Sequence, residues 1–154
     1  MTMSIRRPLS MAAATLFTLS TASMALAGEI FTTNGIAING YDPVAYFVDH
    51  KPVKGSGKFT ASYKGATFYF ASAAHRDTFA GNPERYAPQY GGYCAFGTAE
   101  GHKAPTEPHA FTVVDNKLYL NYNNEVAATW RRDIAGYVAK ANENWDRVKT
   151  QPAP

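Results

Sequence analysis

A single cysteine in 154 residues, Cys94, is the feature that most limits how this chain can be built. Its N-terminus has the character of an export segment, yet one cysteine cannot close a disulfide within the chain. Stability must therefore come from a packed core, and a composition that is 45% hydrophobic and 14% aromatic can supply one. Cys94 also lies in the densest stretch of unusual residues, Ala87-Pro88-Gln89-Tyr90-Gly91-Gly92-Tyr93-Cys94-Ala95-Phe96-Gly97. Paired glycines beside large rings open backbone conformations closed to other residues and let another group approach the main chain closely. The stretch is where a site is expected. For Cys94 itself the order of readings is a buried small hydrophobe, a metal ligand, a redox or nucleophilic thiol, and an intermolecular bridge.

The N-terminus carries Arg6-Arg7 and then an uncharged run from Leu9 to Ala27, closing on Ala25-Leu26-Ala27. This is the pattern of a cleaved export signal, with cleavage expected after Ala27. Thr15, Thr18, Ser20, Thr21 and Ser23 interrupt the run, which argues against a retained membrane anchor. The expectation is an exported, periplasmic protein with no membrane insertion after cleavage. Arg6-Arg7 raises a twin-arginine route, although Pro8-Leu9-Ser10 matches it poorly.

Removal of residues 1–27 from 154 leaves 127, enough for one compact domain over 28–154. The signal holds two of the 15 basic residues and none of the 12 acidic ones, so the remainder carries a formal charge of +1. Nucleic-acid binding therefore has no electrostatic support.

Along the chain, residues 28–39 read as an extended arm. Asp42 followed by Pro43 predicts a capped short helix bearing Tyr46 and Phe47. Two strands, Phe59–Tyr63 and Ala66–Phe70, are joined by Lys64-Gly65 as a hairpin. Ser72 caps a helix to about Ala80, on which His75 and Phe79 share a face. Pro83 opens another helical turn. Residues 97–108 are loop by composition and carry His102, with His109 just beyond. A second hairpin pairs Phe111–Val114 with Leu118–Tyr122, and both hairpins are expected in one antiparallel sheet. Asn123 or Asn124 caps a helix through Trp130, and Asp133 caps a longer amphipathic one whose stripe (Ile134, Tyr137, Val138, Ala141, Trp145, Val148) is expected to pack on the sheet. The tail from Thr150 is expected to fray. The fold class is α+β: a small antiparallel sheet of two hairpins, several short helices and a C-terminal amphipathic helix.

Gly40-Tyr41-Asp42-Pro43-Val44-Ala45-Tyr46-Phe47, Phe68-Tyr69-Phe70-Ala71-Ser72 with His75 and Phe79, the run from Asn82 to Ala95, Lys117–Tyr122 and Asn144-Trp145 together resemble the exported YHS-domain proteins of bacteria. That resemblance implies metal binding, since such domains are related to metal-sensing modules and occur attached to copper-transporting ATPases. It also implies cysteines after the aromatic strand and at the start of the following helix. Here those places read Ala71 and Ala73-Ala74-His75, so the thiolate pair is missing. The Ser72–His75 helix start and Tyr93-Cys94 carry over by position.

Three functions follow in order. The first is a binding module for a soft metal, copper before zinc, drawing on Cys94, His75, His102 and His109, with Cys94 and His75 as the leading pair. The second is a small-molecule or protein-partner domain without metal, its ligand taken by Tyr90, Gly91, Gly92, Tyr93 and Tyr119, the partner an exported or membrane protein. The third is a thiol enzyme with Cys94 as nucleophile and Asp42 or Asn121 orienting a histidine. No catalytic motif is present, which places a non-enzymatic role ahead.

Overall fold

The computed structural model describes residues 28–154. The expected export signal, residues 1–27, lies outside the described residues. The architecture is α+β, and no helix among the described residues is long and apolar enough to cross a membrane.

The arm is not simply extended. Asn34 and Gly35 both take positive φ, 53° and 79°, and make a two-residue turn between β1 (Thr32–Thr33) and β2 (Ile36–Ala37). Asn-Gly is the dipeptide that such hairpin turns select. Lys64 and Gly65 turn in the same way between β3 (Ser56–Tyr63) and β4 (Ala66–Phe70). These four strands form one sheet in the order β1-β2-β4-β3, with β2 parallel to β4 and the other pairs antiparallel. In β4 the alternation works as the period-two rule requires: Ala66, Phe68 and Phe70 are buried, while Thr67 and Tyr69 are only partly so.

The second hairpin, β5 (Phe111–Val114) and β6 (Lys117–Leu120), does not join that sheet and stands as a separate two-stranded one. Both sides of β6 are covered. Leu118 and Leu120 enter a core with Ile38, Val44, Tyr46, Phe68, Phe70 and Phe79, whereas Tyr119 enters another with Tyr90, Ala95, Trp130 and Ala141. A strand that walls two cores has no face left to solvent.

The helices between are short. Asp42 Oδ1 accepts from the amides of Val44 and Ala45 (2.9 and 3.2 Å) and so starts α1 (Ala45–Val48). Ser72 caps α2 (Ala73–Gly81) through His75 N, and Asn82 caps α3 (Pro83–Tyr86) through Arg85 N. Cys94 precedes α4 (Ala95–Ala99), a helix that runs three residues into the stretch 97–108 expected to be loop. Asn123 and Asp133 cap α5 (Asn124–Trp130) and α6 (Ile134–Val148).

The apolar stripe of α6 packs on α4 and on Tyr90 and Tyr119, not on the four-stranded sheet. Nor does the tail fray at once: Gln151 donates to Gly101 O at 3.0 Å and its carbonyl accepts from Lys103 at 2.8 Å.

Candidate functional site

Asp42 and His75 form a part-buried, hydrogen-bonded polar pair that joins the start of α1 to the start of α2. Asp42 is fully buried, and its carboxylate collects four donors: Val44 N and Ala45 N on Oδ1, Ala71 N (2.9 Å) and His75 Nδ1 (2.6 Å) on Oδ2. Three backbone amides fix the carboxylate, and the fourth bond fixes the ring. Nδ1 carries a proton, because its partner is an acceptor, and in the neutral ring Nε2 then keeps a lone pair. The His75 side chain is 22% exposed. Sequence put His75 on the first turn of α2 and Asp42 at the start of α1. It did not place them in contact, since nothing local announces a bond across 33 residues.

Cys94 belongs to a different cluster. It is buried, its Sγ accepts from Gly97 N at 3.4 Å and donates to Asn121 Oδ1 at 3.5 Å, and Asn121 Oδ1 also receives Phe96 N at 3.0 Å. Burial pushes the thiol up from its ordinary value, against the pull of the Gly97, Tyr122 and Phe96 amides. The thiol form is therefore favoured over the nucleophilic thiolate. Asn121 is fully buried as well, and its Nδ2 has no partner among the described residues.

His102 and His109 are exposed. His102 brings Nε2 against Gly97, 3.4 Å from where a Cβ at that residue would stand. His109 sets its ring edge against Tyr41, with centroids 6.4 Å apart. Cys94 and His102 both border Gly97, whereas His75 sits with Asp42 and His109 against Tyr41. Among the described residues no three or more His, Cys, Asp or Glu side chains are placed to hold a metal ion together. A centre of three or more cysteine and histidine ligands does not fit the described residues. A single imidazole braced by a carboxylate does, since metal-bound histidines characteristically give their other ring nitrogen to such a group.

The central stretch is shaped by the chain's own arm. Tyr90, Gly91 and Gly92 take φ of 56°, 63° and 86°. A Cβ on Gly91 would collide with the Glu29 carbonyl, and one on Gly92 would stand 2.6 Å from Ile38 Cγ2. Phe31 N donates to Gly91 O, while Tyr93 Oη and Lys103 Nζ donate to Gly28 O at 3.0 and 3.2 Å. The group that Gly91 admits is thus the backbone of Glu29 and Ile30, and the one that Gly92 admits is the Ile38 side chain. Tyr90, Tyr93 and Tyr119 are buried, as core aromatics are. Of the five residues expected to take a ligand, Tyr90 and Gly91 line a surface cleft of about 180 Å³, walled otherwise by residues of the arm, the β3–β4 turn, α3 and Trp145.

Residues 44–90 match the family model of the YHS domain. His75 lies inside the matched segment, while Cys94, His102 and His109 lie beyond it. No curated protein and no solved structure gives a significant match to the chain.

Proposed function

We propose, on the premise that the chain carries a YHS domain over residues 44–90, that it is an exported binding module that takes a soft or borderline metal ion, copper first, at His75 Nε2. The observation that carries this reading is the 2.6 Å bond from His75 Nδ1 to the buried, triply anchored Asp42. That bond selects the tautomer of the neutral ring and holds the ring in place. Imidazole nitrogen suits copper and zinc, which agrees with the metal binding that the resemblance implies.

A single protein ligand makes an incomplete site. The remaining positions on the ion fall to solvent or to a partner protein, an arrangement suited to receiving and passing on an ion as cargo. Cys94 has no part in it, since its sulfur is buried and engaged with Gly97 and Asn121.

Copper titration of residues 28–154 tests the reading, with His75→Ala and Cys94→Ser as variants. The expected result is one-to-one binding that weakens by roughly tenfold or more in His75→Ala and is unchanged in Cys94→Ser. Equal binding by wild type and His75→Ala, or loss in Cys94→Ser, overturns it.

A further inference from the structure

We infer that the cleft between the β3–β4 turn, α3 and Trp145 is a binding site for a small organic ammonium ion. Its walls combine two kinds of surface that together recognise such cations. Tyr90 and Trp145 line it with aromatic rings and Glu84 with a carboxylate, while Tyr63 and Glu29 already hold Lys64. Ring quadrupoles attract a cation, with tryptophan the strongest, and a carboxylate completes the recognition.

The charges of the cleft are unequal. Lys64 Nζ is already bonded to Glu29 Oε1 at 2.6 Å and lies 5.5 Å from the Tyr63 ring centroid. The protein thus shows within the cleft how an ammonium is held, between a carboxylate and an aromatic face. Glu84 takes part in none of the four ion pairs among the described residues. The lining residues carry two carboxylates and one ammonium, and Lys103 also acts on Glu29 from beyond the lining, so Glu84 is the carboxylate left to balance a monocation.

Size narrows the class further. A volume of about 180 Å³ lies below the roughly 300–1,000 Å³ of pockets that take drug-sized ligands or nucleotides. A primary or quaternary amine with a short apolar body fits; a large cofactor does not. The cleft is separate from the Asp42–His75 pair and lined by none of its residues, so this inference does not depend on the metal reading.

The test is calorimetric titration of residues 28–154 with choline and with phenethylamine, against 3,3-dimethylbutan-1-ol, the uncharged isostere of choline. Saturable one-to-one binding of at least one of the two cations is expected, with no binding of the isostere. Glu84→Gln, at an exposed position, and Trp145→Leu should each weaken it by roughly fivefold or more, with melting curves confirming that both variants fold. His75→Ala should leave it unchanged. Failure of both cations to bind, equal binding of the isostere, or affinities unmoved in both folded variants would overturn the inference.

Discussion

His75 Nδ1 stands 2.6 Å from Asp42 Oδ2, and the carboxylate that receives it is closed to solvent and held by three backbone amides from two segments of the chain. The same four atoms thus start α1, tie it to the end of β4, and aim a histidine. Structure and site share one residue.

Asp42→Asn should consequently be among the costliest isosteric changes in the protein. An amide can keep one oxygen on Val44 N and Ala45 N, but its NH₂ would then face the donor Ala71 N, and His75 could accept from it only by moving its proton to Nε2. The expected loss is about 3 kcal/mol, read from urea denaturation. A loss under about 0.5 kcal/mol, the range of ordinary surface changes, would show that the carboxylate is not needed as drawn.

Gly91→Ala should be severe and Gly35→Ala mild, although both glycines have positive φ. At Gly91 the new carbon meets the Glu29 carbonyl, whereas at Gly35 nothing lies within 4 Å. We expect about 1 kcal/mol at Gly35 from backbone strain alone, and more than about 3 kcal/mol at Gly91, where the arm must leave. Thermal melts of the two variants give the comparison directly.

Stability should fall in alkali. Cys94, with an ordinary value of 9.0, and Tyr46, Tyr90, Tyr93 and Tyr119, with an ordinary value of 10.0, are all pushed upward, chiefly by burial. The unfolded chain then loses these protons first, so their contribution is complete below pH 9.0 and is lost as pH rises through the folded-state values. Lys103 acts in the opposite sense, because burial lowers it and the unfolded chain holds its proton more tightly. Lys64, raised by its bond to Glu29, adds to the decline, and one group against six leaves a net fall, measurable as a falling Tm from pH 9 upward with tyrosinate absorbance appearing on unfolding.

Native Cys94 should resist thiol reagents. The side chain is buried and its protonated form is favoured. Reaction with an aromatic disulfide should be absent in buffer and stoichiometric in denaturant, while rapid reaction in buffer would return Cys94 to the list of functional thiols. Cys94→Ala should cost about 1–2 kcal/mol through the lost sulfur contacts and the cavity left behind.

Much of this fold was legible because it is local. The caps at Ser72 and Asp133, the Lys64-Gly65 turn and the burial of Phe79 all follow from residues within one turn of each other. What escaped was long-range. That β6 walls two cores depends on where α6 lands, and the parallel pairing of Ile36 with Thr67 depends on the arm folding back. Asn34-Gly35 did carry a hairpin signal that the extended reading passed over. Of the candidate site, His75 was visible as a helix-start histidine. Its bond to Asp42 was not, because a cap and a histidine orienter look alike in sequence. Gly91 was visible as a point of close approach, but not that the approaching group is Glu29 of the same chain.

The most direct measurement is a long-range proton–nitrogen correlation spectrum of the histidine side chains, recorded before and after adding zinc as a diamagnetic stand-in for copper. The account predicts that His75 shows the tautomer protonated at Nδ1, and that the ion moves its Nε2 resonance while Asp42→Asn abolishes the response. A His75 protonated at Nε2, or an ion that shifts His102 and His109 and leaves His75 unmoved, would contradict it.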